Sequence, residues 1–485
     1  MLIAILIYFA ILLIVARLTG KGSNDAFFRA GRKSPWMLVA FGMIGASISG
    51  VTFIGVPGWV ITTDMTYIQM CLGFIVGYII VAFVLLPLYY KLGLTSIYTY
   101  LQHRLGNTSY KTGAWFFILS KLMGAAAKFY VVVQILQVCV ADRYGIPYAV
   151  TATITLLFIW IYTRRSGIHT LVWTDVLQTF ILLAALIIIL IQVCTKLDFS
   201  FTDAWTAIWN NPHAKLFEFN DWTSKQHFWK QFLSGIFVVI VMTGLDQDMM
   251  QKNLTCKNLR AAQKDMCSYG VMFVPVNLLF LALGILLLLL YSQIGMEIPE
   301  KGDALLANIV LSGTLGQTAM ICFGIGVVAS AFSSADSSMT ALTTSFCIDI
   351  LQKEHDERLR KRVHLLVMIA FLICTLAFNA IGSGSVMDLI YTLVSYTYGP
   401  LLGLFAFAMI KGVTGVQECR SADNRYVPYI AIAAPVICYI IDYATLKYTG
   451  YKFGYEMLLL NGLLTFIGLW AVRCGKSYPS PPQKI

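Results

Sequence analysis

The most informative residues of this chain are hydroxyl side chains inside an apolar segment, residues 315–346. Residues 330–345 contain six serines, three threonines and one aspartate, Asp336. At helical spacing four of the serines share one face: Ser330, Ser333, Ser334 and Ser337. Such a strip of neutral oxygen ligands, with a carboxylate at its edge, would accept a hard, dehydrated cation. Close packing by small residues is the alternative. It leaves Asp336 unexplained, because a carboxylate in the membrane interior costs roughly 2.5–3.5 kcal/mol.

Other apolar segments also contain polar groups that could do chemistry. Asp175 lies in the sequence LVWTDVLQ, and Asp246 and Gln247 closely follow a glycine in FVVIVMTGLDQDMM. Lys121 and Lys128 are seven residues apart and therefore share a helix face. Each lysine either pairs with a carboxylate or faces a watery cavity, where it would meet an anionic solute. The sequence leaves both readings open.

The composition indicates a polytopic membrane protein with an all-α fold. The chain has 485 residues, of which 58% are hydrophobic and 12% charged, about half the charge of a typical soluble protein. The continuously apolar runs exclude a β-barrel. Because a helix needs about 20 residues to cross a bilayer, we predict thirteen transmembrane helices: 2–18, 36–62, 66–90, 112–140, 147–164, 168–195, 229–251, 266–292, 315–346, 363–381, 385–410, 427–446 and 454–473.

The charge distribution predicts how these helices are oriented. With the N-terminus outside, 25 of the 35 Lys and Arg residues fall in cytoplasmic segments, including the C-terminus, while eight fall outside and two within the fourth span. This is the positive-inside pattern, so the net charge of +11 reflects topology and not nucleic-acid binding. We expect a plasma-membrane location, which in a Gram-negative bacterium is the inner membrane. The eleven cysteines form no CxxC pair and no HExxH motif occurs, so neither a zinc site nor an enzyme is indicated.

Two of the predicted spans are interrupted by helix-breaking residues. The second span contains Gly42, Gly45, Gly50, Gly55 and Pro57, and the seventh contains Gly244 before its polar groups. Discontinuous helices free backbone carbonyls that coordinate ions and solutes. The two broken spans are five apart, and an odd number of spans reverses the direction of insertion. We therefore predict a 5+5 inverted repeat within one membrane domain, 1–485: an extra span at 1–18, repeats at 36–195 and 229–410, and two final spans at 427–473.

Several motifs of this chain resemble those of the sodium/solute symporter family, which includes sodium/glucose, proline, sialic acid, iodide and monocarboxylate transporters. The motifs are SISGVTFIGVPG (47–58), YYKLGLTSIYTYLQHRLG (89–106), VWTDVLQ (172–178), DQDMMQK (246–252), ASAFSSADSS (329–338) and GPLLGLF (399–405). The resemblance covers about residues 1–475. It implies a leucine-transporter-like inverted-repeat fold, often with thirteen spans, which agrees with the count from hydropathy and charge.

The resemblance also implies where sodium binds. The ligands of the principal site would be the carbonyls of Gly45, Ile48 and Ser330 and the hydroxyls of Ser333 and Ser334. Some members bind a second sodium ion. The matching residues here are Asp175, Asp336 and Ser337.

For the solute, the resemblance points to the first broken helix and to the DQ segment. The matching positions are Ser47, Thr52, Asp246 and Gln247. The residues on the broken helix are smaller than those of the family's sugar transporters, and LGLTSIYTYL resembles the iodide, vitamin and monocarboxylate branch. Together with Lys121 and Lys128, this favours an anionic solute such as a carboxylate or a sialic-acid-like compound.

The predicted function is therefore a secondary active symporter that couples inward sodium flow to uptake of a small organic solute by alternating access. Its partners would be sodium, the solute and membrane lipid, and the sequence does not indicate an oligomeric state. A sodium/sugar or polyol symporter and a proton-coupled symporter of the same fold remain alternatives. An ion channel is the alternative from another class, although the polar groups form neither a selectivity filter nor a charged ring.

Overall fold

The fold was analysed in a computed structural model of the full chain, which describes residues 2–20, 23–381, 394–413 and 425–474. Helix is the only regular secondary structure in this described part. A single isolated bridge joins Ser34 to Cys256. The all-α fold class predicted from composition and hydropathy is therefore confirmed.

The helices that carry the argument are labelled α1 to α15 in chain order. The first seven are α1 (Leu2–Thr19), α2 (Trp36–Ser47), α3 (Gly50–Thr63), α4 (Tyr67–Lys91), α5 (Asn107–Leu136), α6 (Tyr148–Ser166) and α7 (Ile168–Lys196). The remaining eight are α8 (Phe228–Gly244), α9 (Gln247–Asn253), α10 (Leu259–Ile294), α11 (Gly316–Ile350), α12 (Glu357–Ile381), α13 (Gly399–Val413), α14 (Val427–Thr449) and α15 (Glu456–Cys474). Short helices such as Asn24–Arg29 and Phe201–Trp209 lie in the connections.

The described residues contain eight helices that are long and apolar enough to cross a membrane, or up to ten if each bent pair is one span. Three shorter apolar helices are also present: Tyr148–Arg164, Val394–Ile410 and Glu456–Val472. The predicted eleventh span, 385–410, lies partly outside the described residues, which resume at 394. The described part of the chain thus contains eight to ten helices that could span a membrane, which supports a membrane location.

Both helix breaks lie where glycine and polar residues interrupt the apolar pattern. The α2–α3 pair bends by 63° and the α8–α9 pair by 71°. In the first break Ile48 has ψ of 83°, outside the helical range, and Ser49 is extended before α3 begins. In the second, Asp246 is extended and its side chain caps the first amides of α9. The prediction that these two spans are discontinuous is confirmed.

Glycines let the broken first span approach its neighbours closely. A Cβ atom on Gly42 would lie 2.9 Å from Cβ of Asp175, and one on Gly45 would lie 2.1 Å from Oγ1 of Thr179. The α2 helix therefore packs tightly on α7. A Cβ atom on Gly50 would lie 3.2 Å from Oγ of Ser330, so the start of α3 lies against α11.

Some connecting segments contact each other, and those described here join loops that the charge pattern predicts on the same side of the membrane. Arg29 donates to Glu354, and the Ser34 amide donates to the Thr255 carbonyl, which joins three segments predicted to be cytoplasmic. In the other group the His213 imidazole contacts Asp64 at 2.8 Å. Contacts between loops predicted to share a side are expected if the spans alternate in direction as proposed.

We predict that Gly58→Ala destabilises the protein, because the new Cβ would lie 2.0 Å from the carbonyl oxygen of Gly302. Backbone cannot move away as a flexible side chain can, so we expect a loss of about 1–3 kcal/mol. Thermal melting of the purified protein in detergent is the measurement. The matched control is Gly124→Ala, whose Cβ would meet no atom within 4 Å. Equal melting temperatures for the two variants would contradict the close approach of these two glycines.

Candidate functional site

A cavity of about 160 Å³ lies where the two broken spans meet. Its wall has a polar part and an apolar, largely aromatic part. The polar residues are Ser47, Ser49, Thr52, Ser120, Lys121, Lys128, Thr243, Asp246, Asp248, Ser334 and Ser338. The aromatic residues are Tyr67, Phe74, Tyr78, Tyr269, Phe273 and Tyr398. A concave site with a few polar groups on an apolar wall is typical of small-molecule binding.

The break in the first broken span frees the carbonyls that the sequence predicted as sodium ligands. In an unbroken helix the Ser49 amide would donate to the Gly45 carbonyl, but here it donates to the Ser47 carbonyl at 3.0 Å. The Phe53 amide donates to the Ser49 carbonyl at 3.0 Å. The regular helical pattern of backbone hydrogen bonds thus restarts after Ile48. The break thus interrupts the backbone hydrogen bonds at Gly45 and Ile48, and coordination of sodium by their carbonyls stays a prediction.

The predicted hydroxyl ligands lie on α11, beside this break. Ser334 lines the cavity, and together with Ser49 and Gly50 it also lines a narrow gap between the break and α11. The Ser330 hydroxyl donates to its own helix at the Val327 carbonyl, 3.0 Å away, so its side chain is already used. Ser333 is fully buried. The structure thus brings the first broken span and the hydroxyl face of α11 together.

The Ser333 hydroxyl joins this region to a buried ion pair. It donates to Oδ1 of Asp175 at 2.7 Å, and Oδ2 of the same carboxylate lies 2.8 Å from the ammonium nitrogen of Lys252. Both charged side chains are almost completely buried, with exposed fractions of 1% and 2%. The Lys252 ammonium is therefore already the counter-charge of Asp175, one residue of the predicted second sodium site.

The other two residues of that predicted site, Asp336 and Ser337, are adjacent on α11, three and four residues after Ser333. Asp336 accepts a hydrogen bond from the Tyr162 hydroxyl at 2.5 Å and one from the Ser337 hydroxyl at 3.2 Å. Both residues are buried. Two carboxylates, Asp175 and Asp336, thus share a buried region with one lysine. A bound monovalent cation would balance the remaining negative charge. Occupancy of this site by a second ion stays a prediction.

Asp246 is the central acceptor at the second break. Its carboxylate accepts from the Lys121 ammonium at 3.1 and 3.3 Å and from the Tyr398 hydroxyl at 2.7 Å. It also accepts from the Asp248 amide at 2.8 Å. The Lys121 ammonium lies 2.8 Å from Oδ2 of Asp248 as well. Lys121 is therefore held between two carboxylates, and this corresponds to the pairing alternative left open by the sequence.

Lys128 differs from Lys121, although both line the cavity. Across the described residues, Lys128 has no ion pair and no hydrogen bond to a side chain. Its neighbours on the wall include Ser49 and Ser334. Lys128 is partly buried, and its ammonium favours an anionic group of a ligand, because a charge removed from water is costly without a counter-charge.

The small polar residues predicted to contact solute on the first broken span also line the cavity. Ser47 is within hydrogen-bonding distance of the Tyr269 hydroxyl, which accepts from the Tyr78 hydroxyl at 2.8 Å. Thr52 lies 3.4 Å from the Ser49 hydroxyl, a weak contact that leaves its side chain able to bind elsewhere. Both residues line the cavity, and their contact with a solute stays a prediction.

Gln247 is the one predicted solute contact that does not line the cavity. Its amide nitrogen donates to the Thr95 carbonyl at 2.8 Å, and its amide oxygen accepts from the Ile97 amide at 2.9 Å. The side chain is fully buried against this loop. Since both polar ends of the amide are occupied, Gln247 fixes the loop after α4 against α9 and has no free group for a solute.

Four residues of this site were not selected from the sequence: Tyr162, Asp248, Lys252 and Tyr398. Asp248 and Lys252 stood in the DQDMMQK motif, and their spacing of four residues predicts one helix face. This spacing could have identified both residues from the sequence. Tyr162 and Tyr398 had no comparable signal, because a tyrosine in an apolar helix is usually part of the packing.

No cluster of three or more His, Cys, Asp and Glu residues suited to a metal ion occurs in the described part of the chain. The groups that could coordinate an ion are instead hydroxyls, carbonyls and single carboxylates. These are hard oxygen ligands, which suit alkali and alkaline-earth cations better than transition metals.

Known proteins resemble this chain in sequence and in fold. A family model described as the sodium:solute symporter family matches residues 27–412. The sodium/sialic acid symporter SiaT of Proteus mirabilis is 24% identical over 417 residues, which cover 82% of each chain. The sodium/iodide cotransporter of Homo sapiens is 24% identical over 403 residues, covering 80% of this chain and 62% of that protein. A solved structure of a Na+-coupled sialic acid symporter, substrate-bound and outward-open, has a TM-score of 0.79 at 20% identity, covering 98% of this chain and 97% of that one. That likeness shows a shared fold.

We predict that Lys121→Met destabilises the protein by about 3–5 kcal/mol, because it leaves two buried carboxylates without their cation. Adding Asp248→Asn should recover part of this loss, since Asp246 keeps its bonds to Tyr398 and to backbone. Thermal melting at fixed sodium concentration is the measurement. Lys128→Met is the matched control and should melt near the unmodified protein. If both single variants melted alike, the distinction between a paired and an unpaired lysine would be lost.

Proposed function

We propose that this chain, which belongs to the sodium:solute symporter family, couples inward sodium flow to the uptake of a small anionic solute. The observation that carries the anionic assignment is the ammonium of Lys128, which lies in the cavity between the two broken spans and has no ion-pair partner among the described residues. The similar proteins are named as sodium symporters of sialic acid and of iodide, and both of these solutes are anions. The chain is a transporter and not an enzyme.

We propose that the three shorter apolar helices also cross the membrane, which would complete the thirteen predicted spans. The two bends then mark equivalent positions in an inverted repeat of predicted spans 2–6 and 7–11. The N-terminus lies outside and the C-terminus in the cytoplasm, as the positive-inside pattern favours. The single membrane domain lies in the plasma membrane, or in the inner membrane of a Gram-negative cell.

Sodium binds between the first break and α11 in this proposal. The carbonyls of Gly45, Ile48 and Ser330 and the hydroxyls of Ser333 and Ser334 are its ligands. One ion held by two helices favours the arrangement in which those helices touch. Residues at the same break also line the cavity. Sodium binding therefore favours the conformation in which the solute site is formed, and this preference for one conformation couples the two ligands.

The solute binds with its anionic group at Lys128 and its remaining surface against the aromatic wall. Ser47 and Thr52 offer hydroxyls to it, and Asp246 holds the second break in place. Lys121 acts through its ion pairs with Asp246 and Asp248. The cavity of about 160 Å³ is smaller than the ~300–1,000 Å³ of drug-sized pockets. This favours a short carboxylate or a compact organic acid over an oligosaccharide.

Alternating access requires a barrier on each side of the solute, and two features support this. Tyr67 lines both the central cavity and an outer cavity of about 630 Å³, so it stands between them. Beyond the second break, the Gln251 amide donates to the Phe28 carbonyl at 2.9 Å and to the Thr344 hydroxyl at 3.0 Å. With the Lys252–Asp175 ion pair, these bonds would have to loosen for release to the cytoplasm.

A membrane potential drives this cycle only if net charge moves. One sodium ion carried with a monovalent anion is electroneutral, so the sodium concentration gradient alone would drive uptake. A second sodium ion would add one positive charge per cycle, which contributes about 2.3 kcal/mol across 100 mV. We propose a second sodium at Asp175, Asp336 and Ser337, where the ion would compete with the Lys252 ammonium for the Asp175 carboxylate. If Lys252 stays paired with Asp175, each transport cycle would carry one sodium ion.

We predict that Ser333→Ala combined with Ser334→Ala raises the sodium concentration for half-maximal uptake at least tenfold, because two ligand oxygens are removed. Uptake by proteoliposomes over a sodium series is the measurement. Ser330→Ala is the matched control and should behave like the unmodified protein, since only its carbonyl is proposed to bind. Unchanged sodium dependence in the double variant would refute the site. Full uptake in choline at fixed pH would instead indicate a proton-coupled symporter.

We predict that the unmodified protein binds carboxylates in preference to their neutral amides and that Lys128→Met removes this preference. A charge-assisted hydrogen bond contributes about 1.5–3 kcal/mol, which corresponds to roughly ten- to hundredfold in Kd. Sodium-dependent thermal stabilisation by benzoate against benzamide, and by lactate against lactamide, measures this difference. Stabilisation by glucose or a polyol without stabilisation by any carboxylate would favour the sugar-symporter alternative.

A further inference from the structure

The outer cavity of about 630 Å³ lies beside the central one, on the side predicted to face the outside. Its wall includes four aromatic side chains: Trp59, Tyr67, Tyr396 and Tyr439. The rings of Trp59 and Tyr67 pack edge to face with their centroids 4.7 Å apart, and Tyr67 also lines the central cavity. A solute that enters from outside would therefore pass through the outer cavity before it reaches the central one.

Three lysines line this outer cavity: Lys225, Lys230 and Lys452. The positive-inside pattern leaves eight Lys and Arg residues in the predicted external segments, and these three are among them. Basic residues are thus sparse on this side of the protein, yet three of the eight surround one cavity. Their grouping makes the entrance to the central cavity attractive to anions.

Two carboxylates also line the outer cavity, but both already accept hydrogen bonds. Asp442 accepts from the Phe453 amide at 3.1 Å and from the Tyr396 hydroxyl at 3.5 Å. Glu456 accepts from the Tyr451 hydroxyl. Neither carboxylate is in an ion pair with a lysine in the described part of the chain. The lysines around the cavity therefore do not serve as counter-charges for these two acids.

The three lysines differ in whether they have partners. The Lys230 ammonium donates to the Tyr451 hydroxyl at 3.3 Å and lies 5.0 Å from the centroid of the same ring. Lys225 and Lys452 are exposed, and across the described residues neither forms an ion pair or a side-chain hydrogen bond. Two ammonium groups at the cavity are thus available to an anion that arrives from outside.

The backbone that carries these two lysines is held in place. The Gln231 amide donates to the Lys225 carbonyl at 2.8 Å. Lys452 precedes Phe453, whose amide is bound to Asp442. The ammonium groups can move with their side chains, but their points of attachment stay at the wall of the cavity.

We propose that the outer cavity is a capture site for the anionic solute, with the anionic group at Lys225 and Lys452 and the rest of the solute against the aromatic wall. From there the solute passes Tyr67 and reaches Lys128 in the central cavity. This inference rests on the proposed function, since it assumes that the transported solute is an anion. None of the proposed sodium ligands, all of them described residues, lines the outer cavity. Binding at the capture site should therefore not require sodium.

The binding test uses 4-fluorobenzoate and its neutral analogue 4-fluorobenzamide. The full-length protein carries Lys128→Met, which removes the central cation, and is placed in phosphatidylcholine nanodiscs with choline in place of sodium. Fluorine NMR line broadening measures the Kd of each probe. We expect the carboxylate to bind about three- to tenfold more tightly than the amide, because two exposed ammonium groups attract it. Adding Lys225→Gln and Lys452→Gln should remove this preference.

A matched pair of substitutions controls for the loss of positive charge. Lys301 and Lys447 are also external by the charge pattern, and neither lines the outer cavity, although the structure describes both. Lys301→Gln with Lys447→Gln removes the same charge and should keep the preference. If this pair weakens carboxylate binding as much as the cavity pair does, general charge explains the effect and the capture site is overturned.

The transport test asks whether capture contributes to uptake. With Lys128 intact, Lys225→Gln combined with Lys452→Gln should raise the KM for sodium-driven uptake of benzoate or lactate by about three- to tenfold and keep the maximal rate. Raising choline chloride to about 0.5 M should remove most of the difference, because salt screens exposed charges. An unchanged KM at low salt would overturn the capture role.

The outcomes separate this inference from the proposed function. If the cavity variants bind and transport like the unmodified protein while carboxylate uptake stays sodium-dependent, capture is overturned and anion symport stands. If no carboxylate is taken up faster in sodium than in choline, the proposed function fails and the capture role fails with it. If phosphatidylglycerol in the nanodiscs abolishes probe binding, the lysines bind a lipid headgroup and the capture site is overturned.

Discussion

The burial of charge in the membrane interior is the constraint on which the rest of this structure depends. An ion taken out of water is stable only if an opposite charge or several hydrogen bonds replace its hydration. Lys121 satisfies this rule between Asp246 and Asp248, and Lys252 satisfies it at Asp175. These pairs join helices that are far apart along the chain, so the same interactions that neutralise charge also hold the bundle together.

One exception to this rule lies in the cavity between the two broken spans. Lys128 lines that cavity and has no ion-pair partner among the described residues. Elsewhere on the same wall, tyrosine hydroxyls already bond to each other, as Tyr78 and Tyr269 do. A cation without a partner is pre-organised for an anionic ligand, because no existing ion pair has to break when the ligand enters.

The broken first span contributes both to the proposed sodium site and to the cavity. Its break interrupts the helical ladder of backbone hydrogen bonds, and Ser47 and Thr52 line the cavity. Glycines at 42 and 45 permit the close packing of this span on α7. A shift of this one segment would therefore alter the proposed sodium site and the cavity together, and coupling between ligands requires such a shared element.

The sequence by itself determined the all-helical membrane fold, the two broken spans and the hydroxyl face of α11. These features depend on hydrophobicity, on glycine and on helical spacing, which act over a few residues and are readable along one segment. Only the tertiary structure decided which lysine is paired, that Gln247 binds the loop at 95–97, and that Lys252 lies on Asp175. The partners of Lys121 are more than a hundred residues distant, at a separation of 125. Electrostatic pairing acts through space between packed helices, and a pattern of residues along the chain does not specify which charges meet.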